Sequence, residues 1–364
     1  MVTYSRRNLD FLLYEVEEIL KLTEYPYFHE HSQETFSFVL DTAEVIAEKY
    51  LRPYLKETDQ HPPELINGKV KVHPAIKEFY HQFCETGLMT ACFDEKYGGQ
   101  QLPKSVYAAS DFIIGNGHNG FEMFTGLASA AARLLISFGS KELIQRFALK
   151  ILTGEYAATM CLTETQAGSS LSEVETIGVL QPEGIYKIKG QKIFISAGDH
   201  DVTEIIVHLV LARTPGAPAG TKGLSLFAVP TFNIQEGSII SNDVSSVTVY
   251  HKMGQKSTPA MHLEFGARDE CFGYLIGEEK KGLDYMFQMM NASRLGVGMA
   301  GTYIASSAYY HSLQYAKERI QGKRLGSNNK LESCPIIQHP DVRRMLFFQK
   351  AMVEGSLGFI FYCH

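Results

Sequence analysis

The alternation of apolar and polar positions divides this chain into three stretches. Up to about residue 155 the apolar residues recur at helical spacing. Phe11, Leu12, Val16, Ile19 and Leu20 predict a short amphipathic helix over Leu9 to Leu22. Phe36, Val39, Leu40, Ala43, Ile46, Ala47 and Tyr50 form one stripe of a long helix over Glu34 to Glu57, with Pro53 as a kink point. Pro62-Pro63 and Asn67-Gly68 mark a loop. Ile76, Phe79, Tyr80 and Phe83 are the buried face of a helix over Pro74 to Cys84. Further apolar helices are expected over Ser105 to Gly115, Phe121 to Phe138 and Lys141 to Leu152.

After Tyr156 the period falls to two. Ile205 to Ala212 is a continuous β-branched and apolar run, Leu224, Leu226 and Ala228 alternate, and Val247 to Tyr250 and Met261 to Phe265 are short strands. Tyr186 and Ile188 alternate with Lys187 and Lys189, and the pattern resumes at Ile193 and Ile195, so two strands with a turn at Gly190 are predicted. Upstream, the apolar start at Tyr156 gives way to small polar residues at Gln166 to Ser170. A strand followed by such a Gly/Ser turn brings N–H groups and hydroxyls close to a ligand. Helical spacing returns over Gly282 to Gln321, then a loop from Lys330 to Pro340 and a last helix over Asp341 to Phe361. The expected fold is α+β: a helical N-terminal domain over 1–155, a middle β-barrel or sandwich domain over 156–281, and an incomplete helical C-terminal domain over 282–364.

Composition removes several functions. The formal charge of −6 leaves no basic excess to neutralise phosphates, so nucleic acid is not an expected partner. No window approaches the run of ~20 apolar residues needed to span a membrane. Asp10, Glu15, Glu17 and Glu18 interrupt any signal-type apolar core. The six cysteines fit no disulfide or metal spacing and read as small buried hydrophobes in a reducing cytoplasm. The thirteen histidines show no ligand spacing, and no metal is expected.

A set of motifs carries a more specific reading. Cys161-Leu-Thr-Glu164, Ala167-Gly168-Ser169 and Phe194-Ile-Ser196 are accompanied by Phe93-Asp-Glu-Lys-Tyr-Gly98-Gly99 and Phe138-Gly-Ser-Lys-Glu142. Arg294-Leu-Gly296 and Tyr315-Ala-Lys-Glu-Arg319 follow downstream. In order and spacing, from Glu34 to Gly326, the set resembles the acyl-CoA dehydrogenase family, and in particular its long members with an N-terminal extension.

The resemblance implies FAD, an acyl-CoA substrate and an electron-transfer flavoprotein as acceptor. It implies α-proton abstraction by a carboxylate and hydride transfer to flavin N5, with hydrogen bonds to the thioester carbonyl. Main-chain groups around Cys161, Leu162 and Thr163, with the Thr163 hydroxyl, would face the isoalloxazine, and Gly168 would belong to the same cofactor turn. Phe194 would pack on the ring where relatives usually have tryptophan, and Ser196 would hydrogen-bond near N5 or the pyrophosphate. Ser169 would sit by the acyl-CoA, Asn291 would face its adenosine side, and Arg294 would hold the active-site helix. Arg319 would reach the FAD diphosphate of a neighbouring subunit, which implies a homodimer or homotetramer. Gly98-Gly99 lies where the family's loop closes over substrate.

Two departures and one shared position qualify the resemblance. Ser170 stands where the family normally has aspartate. The family counterpart of Glu164 is structural, so a capping or helix-facing carboxylate is expected there rather than a base. The catalytic base itself is unassigned: Ser293 occupies one of the two family positions, and the other lies beyond His364. The chain is therefore expected to be truncated and not to dehydrogenate acyl-CoA alone. The alternatives are a non-catalytic relative that binds flavin or acyl-CoA, and an acyl-CoA oxidase that passes its electrons to oxygen.

Overall fold

A computed structural model describes residues 3–235, 238–323 and 333–364. Gly326, where the resemblance ends, and Lys330, where the last loop was expected to start, lie outside the described residues. The chain forms two units. One comprises Glu48–Gln100 and Gly120–Ser293, the other Met1–Ala47, Gln101–Asn119 and Arg294–His364.

The first unit is built on a β-sheet. Its strands are β1 (Glu64–Ile66), β2 (Lys69–Lys71), β3 (Tyr156–Cys161), β4 (Ile177–Leu180), β5 (Tyr186–Ser196), β6 (Ile205–Arg213), β7 (Leu224–Pro230), β8 (Phe232–Gln235), β9 (Ser238–Ser241), β10 (Val244–Val249), β11 (Ala260–Phe265) and β12 (Phe272–Leu275). The main sheet runs β10-β11-β5-β12-β7-β6-β3, and β4 pairs with both β5 and β6. β5, β12, β7, β6 and β4 thus close a ring, which makes the expected barrel or sandwich a barrel. Pairing is antiparallel apart from β3 with β6 and the single β4–β6 contact. β6 is the continuous apolar run, and its residues from Ile205 to Ala212 are all buried. Cys161, Ile188, Ile195, Val210, Phe227, Met261 and Phe265 form the core.

Helices accompany this sheet. Pro74–Glu85 buries Ile76, Phe79, Tyr80 and Phe83, the stripe read from the sequence. Glu122–Phe138 buries Ala128, Ala131 and Ala132 and packs on β3. The expected loop at Pro62 to Gly68 contains a hairpin instead. Asn67 (φ 52°) and Gly68 (φ 78°) form the two-residue turn between β1 and β2. The Asp199 carboxylate accepts from Val70 N at 3.1 Å and Asp201 from Val72 N at 3.1 Å, which fastens the hairpin to the segment after β5.

The second unit is helical. Gln33–Ile46 begins with a reciprocal capping box between Ser32 and Thr35 and buries Phe36, Val39, Leu40 and Ala43. It packs on Lys104–Gly117. Tyr309, Ala316, Leu346 and Val353 form a further core cluster between the helices Gly282–Glu318 and Pro340–Cys363. Gly115 lies against the Tyr303 ring, where any Cβ would collide. The helix expected over Glu34 to Glu57 changes pitch after Ile46. A π-turn at Ala47–Leu51, where the chain passes into the first unit, and a 3-10 turn at Arg52–Tyr54 lead into a short helix of that unit at Leu55–Gln60. Pro53, which has no N–H to give, sits in the first turn of the 3-10 segment, where none is needed. No described helix is long and apolar enough to cross a membrane.

Candidate functional site

β5 departs from the two-strand reading. It is one continuous strand of eleven residues, and Gly190 marks a corner rather than a turn. Before the corner β5 pairs with β4 and β12; from Gly190 onward it pairs with β11. A Cβ at Gly190 would run into Thr176, so only glycine lets the strands meet there.

A β-bulge follows. Ile195 pairs with Met261 and Lys192 with Leu263, so Ile193 and Phe194 together face the one residue His262. The inward-facing set therefore changes phase. Tyr186, Ile188 and Lys192 are buried before the bulge, Ile193 within it and Ile195 after it. Phe194 takes φ 57°, a conformation uncommon for a non-glycine residue, and its side chain is 58% exposed. Its ring lies 4.6 Å from that of Tyr250, centroid to centroid. Tyr250 N donates to Ala260 O at 2.7 Å, and Ala260 pairs with Ser196 on its other side. Tyr250 and Ser196 thus flank β11 beside the exposed ring.

The loop after β3 meets this bulge. Ile193 N, freed from the ladder, donates to Thr163 O at 2.8 Å. Glu164 and Ala167 close a tight turn by reciprocal main-chain bonds of 2.7 and 3.2 Å. Gly168 lies beside the Thr163 methyl, while Ser169 and Ser170 are exposed beyond it. Leu162 and Thr163 are half-buried. The Cys161 side chain points into the core, and burial pushes its thiol up to about 12. Any contact of Cys161 with a ligand is therefore confined to its main chain.

Glu164 is neither helix-facing nor a cap. Its buried carboxylate accepts from Lys192 Nζ at 2.8 Å, Thr176 Oγ1 at 2.6 Å, Thr176 N at 3.1 Å, Glu175 N at 2.8 Å and Gln166 Nε2 at 2.7 Å. Burial alone would raise its pKa. Lys192 and the donors from Glu175 and Thr176 outweigh that and hold it below the usual carboxylate range. With every oxygen engaged it is a brace, in keeping with the structural role expected for it. Arg213 fixes the far end of the loop through Val174 O at 2.7 Å and Ser172 O at 2.6 Å.

Leu162, Thr163, Gly168, Phe194 and Ser196 are therefore gathered around one bulge of the β unit. Asn291 is exposed on the helix Gly282–Glu318 and belongs to the same unit; Arg294 and Arg319 are exposed in the helical unit. Ser293 Oγ donates to Met289 O at 2.9 Å, within its own helix. The turn at Phe93–Gly99 is closed by Gly98 N to Glu95 O and Gly99 N to Asp94 O. Sequence reasoning did not single out Lys192 or assign a site role to Tyr250. For Lys192 the signal was present, because it stands in even phase with Tyr186 and Ile188. For Tyr250 there was none beyond its place at a strand end. Among the described residues no three histidine, cysteine or acidic side chains come together as a metal group.

Known proteins resemble this chain in sequence and fold. The family profile "Acyl-CoA dehydrogenase, N-terminal domain" matches residues 33–155, and "Acyl-CoA dehydrogenase, middle domain" matches residues 159–267. A 3-methylmercaptopropionyl-CoA dehydrogenase of Ruegeria pomeroyi is 43% identical over 300 residues, covering 82% of this chain and 50% of the relative. A butyryl-CoA dehydrogenase of Syntrophomonas wolfei is 35% identical, covering 98% of this chain and 60% of the relative. The chain thus spans between half and three-fifths of the length of these relatives. Among solved structures, butyryl-CoA dehydrogenase from Megasphaera elsdenii superposes with a TM-score of 0.72 at 21% identity, covering 91% of this chain and 79% of that one. An acyl-CoA dehydrogenase of Bacillus anthracis, solved in complex with FAD, gives 0.72 at 24% identity, covering 90% of this chain and 50% of that one. Two adjoining family profiles, relatives of the same kind and a shared fold agree, and the chain belongs to the acyl-CoA dehydrogenase family.

Proposed function

We propose that this chain holds FAD and an acyl-CoA thioester for α,β-dehydrogenation, with the flavin on the face around the β5 bulge. The observation that carries the reading is Phe194, an aromatic ring held outward at positive φ beside Tyr250. Backbone strain costs about 1–3 kcal/mol and gathers where a ligand or a reaction gives it a use. The residues fit a flavin: the exposed Phe194 ring, backed by the half-buried Tyr250 ring at 43° to it, offers an apolar wall, and half-buried Thr163 and Ser196 supply hydroxyls and main-chain groups beside it. FAD, when bound, supplies the acceptor for the hydride.

Leu162 and Thr163 would hold the cofactor's polar edge, with the main chain at Cys161 and Gly168 in the same turn. Ser169, Asn291 and Arg294 would serve the acyl-CoA, and Arg319 a diphosphate, in the family pattern a neighbouring subunit's. An assembly of two or four copies and an electron-transfer flavoprotein as acceptor follow from the same pattern. Ser293 does not act as the base. Its hydroxyl bonds back to Met289 O, and an unassisted serine is too weak to take an α-proton. The domain limits at 155 and 281 belong to this reading too, since β3 begins at Tyr156 and the long helix at Gly282.

The test is anaerobic addition of saturated acyl-CoA esters to the FAD-loaded 364-residue chain. A perturbed flavin spectrum is the expected result, because the chain binds both ligands. Stoichiometric bleaching would show that a base within the chain had been overlooked. Failure to retain any flavin would overturn the reading.

A further inference from the structure

A lysine on a strand ordinarily turns its ammonium to water. Lys192 is 0% exposed. Its Nζ donates to Leu162 O at 3.0 Å and to Glu164 Oε1 at 2.8 Å. A buried pair of this kind adds little stability over apolar residues of the same size, but its bonds are demanding in geometry. Here they join two segments far apart in sequence. Lys192 grips Leu162, the next residue Ile193 grips Thr163 through its N–H, and the next, Phe194, turns outward. Thr176, which donates to the same Glu164 oxygen as Lys192, is also the residue that crowds Gly190 at the β5 corner.

We infer that Lys192, with Glu164, is a positioning residue for this face: it fixes the Leu162–Thr163 main chain against the bulge and so sets where the Phe194 ring stands. For its link to the cofactor the inference rests on the flavin reading; the placement of the ring does not depend on it.

The chain has no tryptophan, so Phe194→Trp introduces a single reporter on the face. In that background Lys192→Met removes the cation and leaves a buried carboxylate unpaired, which costs stability whatever the pair does. The double change Lys192→Met with Glu164→Gln removes both charges. The double variant is expected to recover most of the unfolding midpoint and yet to show a shifted tryptophan emission and near-UV dichroism. Its FAD affinity should be at least about tenfold weaker, since a misplaced wall and main chain forfeit about one good hydrogen bond or more. Recovered stability with an unchanged tryptophan signal would overturn the inference, because the pair would then only fill space. A shifted signal in the double variant, with no FAD binding by the unmodified chain, would support the brace and overturn the flavin reading. Should the double variant not fold, Thr176→Val loosens Glu164 while leaving both charges, and the same signals decide.

Discussion

His200 and His208 are both buried in the β unit, and each has an Nε2 without a hydrogen-bond partner among the described residues. His208 is held through Nδ1 to Thr159 Oγ1 at 2.7 Å. His200 Nδ1 accepts from Val202 N at 3.3 Å. Burial lowers His200 to about 4 and His208 to about 3, from an ordinary 6.5. The unfolded chain then binds more protons than the folded one at any pH between these values and 6.5. The associated stability is complete above pH 6.5 and is lost as pH falls toward 4 and then 3. Urea unfolding from pH 7 to pH 4 should show a loss of about 3 kcal/mol per histidine. His208→Gln should flatten part of that slope, and an identical slope in the variant would contradict the assignment. At this scale the sequence showed less than the structure. Periodicity marked Lys187 and Lys189 as outward, but Lys192, although in phase with Tyr186 and Ile188, passed unnoticed because the alternation was read as resuming at Ile193 and Ile195; its partner Glu164 lies twenty-eight positions away. Phe194 was assigned only through the family pattern: the bulge left its mark in the shift from Tyr186 and Ile188 to Ile193 and Ile195, but that shift was read as a turn at Gly190.

Among elements, β5 shows how far local pattern reaches. Alternation identified a strand on both sides of Gly190, and glycine suggested a turn; the partners of the two halves decided otherwise. Gly190→Ala should destabilise the fold by about 2–4 kcal/mol, because the added methyl meets both the side chain and the main chain of Thr176. The change should also weaken flavin retention, since Thr176 supports Glu164. A denaturation midpoint within error of the parent would show that the corner relaxes freely. The β1–β2 hairpin was missed for another reason. Its strands are only three residues long, too short for periodicity, and Asp199 and Asp201 that fasten it lie about 130 positions away. The helices were read closely because their stripes, such as Phe36 to Ala43 and Ile76 to Phe83, are local. The end of the Gln33–Ile46 helix was not, since the π-turn at Ala47–Leu51 shifts the stripe: Ala47 stays buried, but Leu51 rather than Tyr50 is fully inside.

For the whole molecule, the order of helical, β and helical segments followed from the change of period at Tyr156 and Gly282. Its division into the two units described above did not, because Gln101–Asn119 joins segments from both ends of the chain. The loop after β3, the β5 bulge and Tyr250 all belong to one unit, so the flavin face can be tested without reference to the other. The most direct measurement is a titration of the purified 364-residue chain with FAD, followed by flavin fluorescence, beside Thr163→Ala and Ser196→Ala. Saturable one-to-one binding is predicted, weakened by about 1–2 kcal/mol, or roughly 5- to 30-fold, in each variant, as for a lost buried hydrogen bond. No saturable binding by the parent chain, or equal affinity in all three proteins, would contradict the placement of the flavin on this face.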